Sequence, residues 1–134
     1  CFEKSICLSA DVICAYDPLY EEVFAPQNTA RLNHGVAVSK YAGRNGKGGT
    51  SDASGELMAW FRQIFDQDGV QWQVGETGKI DQGGGGTVSC FMVDRNIETL
   101  DVGVALLSMH APMEIAAKLD CYMLKKATGA FYRS

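Results

Sequence analysis

Leu100-Asp101-Val102-Gly103-Val104-Ala105-Leu106-Leu107 (LDVGVALL, residues 100–107) reads as an apolar strand that runs directly into Ser108-Met109-His110. Pro112 follows, suited to the first turn of a last helix. In that helix Ile115, Ala116, Leu119, Tyr122 and Met123 would share one face, with Lys125 and Lys126 at the C-terminal end where cations suit the dipole. Working back from this strand, Val88, Phe91 and Met92 predict a short amphipathic helix ending near Asn96, and Val70, Trp72 and Val74 alternate with Gln71 and Gln73 as a half-buried strand. Ala53, Leu57, Trp60, Phe61, Ile64 and Phe65 recur at three- and four-residue spacing, which predicts a helix capped by Ser51 or Asp52 and stopped by Gly69. Further strands are expected over Gly35 to Tyr41 and over residues 6–13, the latter ended by Tyr16-Asp17-Pro18. The order β, β, α, β, α, β, α predicts an α/β fold in which a sheet is sandwiched by helices in three layers, half of a larger sheet, with residues 1–134 in a single domain.

The chain has 134 residues, 46% hydrophobic and 21% charged, a balance that excludes disordered, collagenous and coiled-coil classes. Its net charge of -4, with 12 scattered Lys and Arg, lacks the basic footprint that phosphate binding needs, so no nucleic-acid partner is expected. No apolar run approaches the ~18 residues of a membrane span, and the N-terminus lacks the plan of a signal peptide. Five cysteines, an odd number without a C-x-x-C pair, suit a reducing compartment. A cytoplasmic location with no membrane partner is therefore expected. The opening Cys1-Phe2-Glu3-Lys4, without Met and entering a strand almost at once, is what a segment of a longer chain would show.

Two residues carry most of the chemical interest. Asp11 interrupts an apolar strand, where a carboxylate must be solvated, paired or bound to a metal; taken alone, a strand-end Asp is more often a turn cap. His110 follows the 100–107 strand, where a neutral imidazole can ligate zinc, although a lone histidine is more often a satisfied core or surface residue. Both lie at expected strand carboxyl ends, where ligands gather in open α/β sheets, so they can converge despite their separation in sequence. Asp81-Gln82-Gly83-Gly84-Gly85-Gly86-Thr87 precedes a helix, and its glycines would let backbone N–H groups approach a ligand or a developing oxyanion. Gly43 to Thr50 is a second glycine-rich loop; Gly48 stands where a phosphate-binding loop requires Ser or Thr after the lysine, which excludes a nucleotide site. No G-x-S-x-G elbow exists, and Cys14 has no orienting motif, so serine and cysteine nucleophiles have no support.

At these same points the chain resembles the aspartyl aminopeptidase and aminopeptidase I family of zinc metallopeptidases. The matching pieces are Ser9-Ala10-Asp11 with Asp17-Pro18-Leu19-Tyr20, Gly35 to Lys40, Ser51-Asp52-Ala53, Gly78-Lys79-Ile80-Asp81-Gln82 with the glycines and Thr87, and Ser108-Met109-His110-Ala111-Pro112. They run in the family's order over nearly the whole chain, and stand closer to bacterial aminopeptidase I members than to animal aspartyl enzymes. The resemblance implies the C-terminal portion of a metallopeptidase catalytic domain, with two zinc ions per active site, Co or Mn being able to replace them. Asp11 matches the ligand of one metal and His110 the ligand of the other. It further implies metal-activated attack of water on the first peptide bond of peptide substrates, and assembly of the full-length enzyme into a homo-oligomer, a dodecamer.

Lys40 matches a lysine of the family's substrate pocket, and Gly84, Gly85 and Thr87 are the further substrate-binding candidates. The remaining ligands and the general-base Glu lie, in the family, upstream of the S-A-D motif. No catalytic residue is therefore assigned in this chain, and the chain alone is expected to be inactive. Cys14 replaces a histidine of the animal members, so that residue's role does not transfer. The alternative to an aminopeptidase segment is a non-catalytic binding or assembly module derived from such a peptidase.

Overall fold

The computed structural model describes residues 2–44, 48–79 and 82–134. After a 3-10 turn at Phe2–Lys4 come β1 (Ile6–Cys14), a second 3-10 segment at Pro18–Val23, β2 (Val36–Ser39), β3 (Tyr41–Arg44), β4 (Gly48–Asp52), α1 (Gly55–Gln67), β5 (Trp72–Val74), α2 (Ser89–Val93), β6 (Glu98–Leu107), β7 (Ile115–Ala116) and α3 (Lys118–Arg133). The main sheet has the order β1-β6-β2-β5, with β7 added at the end of β6. β6 runs parallel to β1 and antiparallel to β2, while β2 and β5 are parallel. β3 and β4 form a separate antiparallel pair. Of the expected glycine-rich loop at 43–50, residues 43–44 belong to β3 and residues 48–50 to β4, while residues 45–47 lie outside the described residues.

Period-two geometry gives the sheet two unlike faces. Leu8, Val36, Val38, Leu100 and Val102 point to the side covered by α1 and α3, where Leu57, Phe61, Phe65, Ala127 and Ala130 complete the main core. Phe61 is 1% exposed and stacks on Phe131 of α3 with ring centroids 5.7 Å apart. Burying such a ring contributes about 2–3 kcal/mol. The other face divides. Towards the β1 and β6 C-termini, Ile13, Ala37 and Ala105 pack with Ala15 and Ala30 of the irregular 15–34 segment. Towards their N-termini the face is polar, carrying Ser9, Thr99 and Asp101, and α2 lies on this side, linked through Ser89 and Thr87 to Asp101. Helices therefore stand on both faces, as the alternation of elements predicts.

Several boundaries differ from expectation, each for a local reason. β2 stops at Ser39 rather than running to Tyr41, because the Glu76 carboxylate takes the Lys40 N–H at 3.0 Å and bends the chain into β3. The cap of α1 is Ser54, whose hydroxyl accepts the Leu57 N–H at 3.1 Å; Ser51 and Asp52 belong to β4. The stop at Gly69 (φ 63°) and the end of the short helix at Asn96 (φ 60°) fall where expected.

The last helix starts at Lys118, not near Pro112. The His110 N–H is taken by Glu114 Oε1 at 2.6 Å and the Ala111 N–H by the Ser108 carbonyl at 3.0 Å, so the chain turns back and Ile115 and Ala116 pair with Leu107 and Leu106. Ile115 is accordingly 52% exposed, and the buried positions of α3 are Asp120, Ala127 and Ala130. Asp120 locks this helix to the sheet. Its two oxygens accept the N–H groups of Gly35 (2.7 Å) and Asn33 (2.8 Å) just before β2.

Candidate active site

A cleft opens on the polar face, walled by the middle of β1, the end of β2, β3, the turn after β5, the glycine loop before α2, and residues 101–103 of β6. Asp11, Gly84, Gly85 and Thr87, all singled out from sequence, line it together. Lys40 and His110 do not line it. The register explains why Asp11 is there: β1 and β6 pair Ser9 with Asp101 and Asp11 with Gly103, so residues 9, 11, 101 and 103 share one side of the sheet. Asp11 stands within β1, three residues short of its end, and not at the carboxyl end that the sequence suggests. Its Oδ1 accepts the N–H of Val12 at 2.9 Å, and among the described residues it enters no ion pair.

Gly103 forms the cleft floor opposite Asp11. A Cβ at that position would come within 2.9 Å of the Val12 carbonyl carbon and 3.2 Å of the Ile13 nitrogen, so glycine here permits the close approach of β1 and β6. The glycine loop is heterogeneous. Gly84 has φ 121°, a backbone that side-chain-bearing residues rarely adopt, and Gly83 packs tightly on Gly78. At Gly85 and Gly86 an added Cβ would meet nothing within 4 Å, and neither has a positive φ. No contact among the described residues requires glycine at these two positions, and Gly85 faces the cleft.

His110 sits three residues past the end of β6, exposed, in a turn with two left-handed residues, Ser108 (φ 57°) and His110 itself (φ 68°). Such conformations cost of order 1–3 kcal/mol each in non-glycine residues and recur where side-chain placement matters to function. Because β1 and β6 are parallel neighbours, this turn lies beside the end of β1: Cys14 Sγ is 3.9 Å from Met109 Sδ, and the Ala15 N–H donates to the Leu106 carbonyl at 2.7 Å. The register places Asp11 beside Gly103 and leaves His110 in the turn beyond the end of β6, so the two lie towards the C-terminal side of the parallel pair without sharing the cleft. Burial pushes the Cys14 thiol pKa up, which keeps it protonated and suits a packing role. The Lys40 ammonium is held by the Asp52 carboxylate and by the Ala53 carbonyl at 3.0 Å.

Two cleft carboxylates were missed from sequence. Glu76, 6% exposed, accepts the N–H of Lys40 at 3.0 Å, and burial pushes its pKa up to about 7. Asp101, 8% exposed, accepts the Thr87 hydroxyl on Oδ2 at 3.1 Å, while its Oδ1 is buried without a hydrogen-bond partner among the described residues. The reasoning that singles out Asp11, a carboxylate inside an apolar run, applies equally to Asp101 in LDVGVALL. Asp11, Glu76 and Asp101 therefore line one cleft in which no described lining residue is Lys, Arg or His. Such a cleft attracts cations. Among the described residues, no group of three or more His, Cys, Asp or Glu side chains is gathered closely enough to hold a metal ion.

Residues 1–132 match the family described as aminopeptidase I zinc metalloprotease (M18). A probable M18 family aminopeptidase 1 of Borreliella burgdorferi (strain ZS7) is 44% identical over 126 residues, covering 94% of this chain and 28% of that protein. The crystal structure of aminopeptidase I from Clostridium acetobutylicum superposes with a TM-score of 0.91 at 44% identity, covering 96% of this chain and 28% of that one. The S. cerevisiae mApe1 dodecamer shares the fold, with a TM-score of 0.77 at 23% identity, over 98% of this chain and 27% of that one. This chain spans little more than a quarter of the length of these relatives. On the match over nearly its full length, the chain belongs to the aminopeptidase I zinc metalloprotease (M18) family.

Proposed function

We propose that this chain is the C-terminal portion of the catalytic domain of a zinc-dependent aminopeptidase, contributing part of an active site that releases N-terminal residues from peptides. The observation that carries the proposal is the cleft in which Asp11 faces the Gly84–Thr87 wall among carboxylates, with no cationic side chain among the described lining residues. Carboxylate oxygen and imidazole nitrogen are ordinary zinc donors, and Asp11 enters no ion pair among the described residues, so Asp11 and His110 fit as a partial ligand set. The resemblance assigns them to the two metals of a pair, with Co or Mn as possible replacements. Zinc, when bound, polarises the scissile carbonyl and acidifies water.

In this reading Asp11 holds one metal from the rigid centre of β1 and His110 holds the other from the turn after β6. Gly84 and Gly85 let the substrate backbone approach the loop, and Thr87 fixes that loop on β6. Lys40 stays a substrate-pocket residue on the resemblance alone, and its ammonium is held by Asp52. The isolated chain is proposed to be inactive, since the family's other ligands and general base lie upstream of the S-A-D motif. Assembly of the complete protein into a homo-oligomer is supported by the yeast dodecamer at the level of fold. A cytoplasmic setting is supported by the free thiols of Cys7, Cys14, Cys90 and Cys121.

The test is metal analysis and hydrolysis of leucyl, aspartyl and glutamyl substrates by the complete protein that contains this chain. Zinc-dependent release of the N-terminal residue supports the proposal. A protein that folds, binds no zinc and cleaves none of these substrates would establish the binding-module reading instead.

A further inference from the structure

We propose that Asp101 is a positioning residue that fixes the Gly83–Thr87 wall of the cleft through a one-way chain of hydroxyl hydrogen bonds. The inference rests on the aminopeptidase reading only for its effect on turnover; the chain itself is a matter of geometry.

The Thr87 hydroxyl donates its single hydrogen to Asp101 Oδ2, 3.1 Å away. The Thr87 oxygen then has only lone pairs to offer, and it accepts both from the Ser89 hydroxyl and from the Ser89 N–H at 3.3 Å. With the Ser89 hydrogen committed, the 2.8 Å contact between Ser51 and Ser89 must be donated by Ser51. The sequence of donors Ser51, Ser89, Thr87 and the final acceptor Asp101 ties together β4, α2, the glycine loop and the central strand β6. Ser51, Ser89 and Asp101 are each at least nine-tenths buried, so water does not readily replace a lost link.

The remaining carboxylate oxygen marks this as more than packing. Asp101 Oδ1 is buried with no partner among the described residues, and so is the hydroxyl of Ser9, its neighbour in register on β1. A loop anchor alone would need a single acceptor oxygen, whereas Asp101 buries a second oxygen that no described partner satisfies. A carboxylate, which never competes as a donor, gives the chain a single direction and holds Thr87 in one rotamer. The cleft-lining backbone of Gly84 and Gly85 is thereby held at its Thr87 end.

The test uses the complete protein in four forms: wild type, Thr87→Val, Asp101→Asn and the double variant, with Thr87→Ser as the conservative control. Backbone hydrogen exchange over residues 82–88 reads the loop without reference to activity, and zinc content with kcat and KM reads its consequence. Expected are exchange about 10-fold faster in Thr87→Val and a fall in kcat/KM of about 10–100-fold at unchanged zinc content, as for a ligand wall misplaced by about 1 Å. Thr87→Ser should restore both, and the double variant should be no worse than the poorer single one. Unchanged exchange in Thr87→Val, or losses in the double variant that simply add, would overturn the proposal. If Asp101→Asn fails to fold, Thr87→Val against Thr87→Ser decides alone. If the wild type turns out not to hydrolyse any substrate while exchange responds as expected, the aminopeptidase reading fails and the positioning chain stands.

Discussion

Replacing Gly103 by alanine places one methyl group at the point where β6, β1 and the cleft meet. The added carbon would lie 2.9 Å from the Val12 carbonyl carbon and 3.2 Å from both the Ile13 nitrogen and the Val12 Cα. Carbon atoms rest at about 3.5–4.0 Å, so the overlap is ~0.6 Å or more, and every atom met is backbone that cannot rotate away. The strands must separate locally, which by analogy with overpacked cores costs about 1–3 kcal/mol. Because Gly103 is the register partner of Asp11, the displacement falls on the carboxylate proposed to hold zinc. Urea unfolding of the complete protein should show a lower midpoint at unchanged slope, and metal analysis should show weaker zinc retention. Gly55→Ala is the control: the new methyl meets nothing within 4 Å at the start of α1, and a better helix former there should leave stability equal or raise it by up to ~1 kcal/mol. A Gly103→Ala protein with the unfolding midpoint and zinc content of the wild type would refute the reasoning.

Asp120→Ala removes a fully buried carboxylate that accepts two backbone N–H groups and leaves both without a partner; a loss of about 3–5 kcal/mol is expected in chemical unfolding, with Asp120→Asn less damaging because its one oxygen keeps one of the bonds. Glu76 has a folded pKa near 7 against an ordinary 4.5, so the folded state retains its proton as pH rises between these values while the unfolded chain releases it. Its contribution to stability is thus fully present below pH ~4.5 and is lost as pH rises through ~7, a change of at most about 3 kcal/mol that Glu76→Gln should flatten in unfolding curves measured from pH 4.5 to 8. Gly85→Ala should leave the unfolding midpoint unchanged within ~0.5 kcal/mol, since its Cβ meets nothing, yet raise KM for peptide substrates if the loop backbone touches them.

The elements that were legible in the sequence are those whose pattern is local. The three- and four-residue spacing of Leu57, Phe61, Ile64 and Phe65, the left-handed stop at Gly69 and the apolar run into His110 each depend on neighbours within a few turns, and each is found in place. The errors arise where a distant side chain intervenes. Lys40 leaves β2 because Glu76 captures its N–H, and Pro112 does not open the last helix because β7 finds pairing partners on β6. Asp11 and, by the same rule, Asp101 are recognisable as carboxylates in apolar strands, but Glu76 is not: it is a turn residue whose burial appears only when β2, β3 and the 76–77 turn meet. That the turn carrying His110 follows the parallel neighbour of Asp11's strand is seen only in the β1 and β6 register, which no spacing within the sequence encodes.

The central claim is that Asp11 and His110 are metal ligands, and the most direct measurement is the zinc content of the complete protein beside its Asp11→Ala and His110→Ala variants, with hydrolysis of a leucyl substrate measured on the same samples. Removing one ligand of the proposed zinc pair should lower zinc from the proposed two ions per chain towards one, and activity by a factor of at least about 100. Two variants that fold, keep the zinc content of the wild type and hydrolyse at its rate would contradict the account.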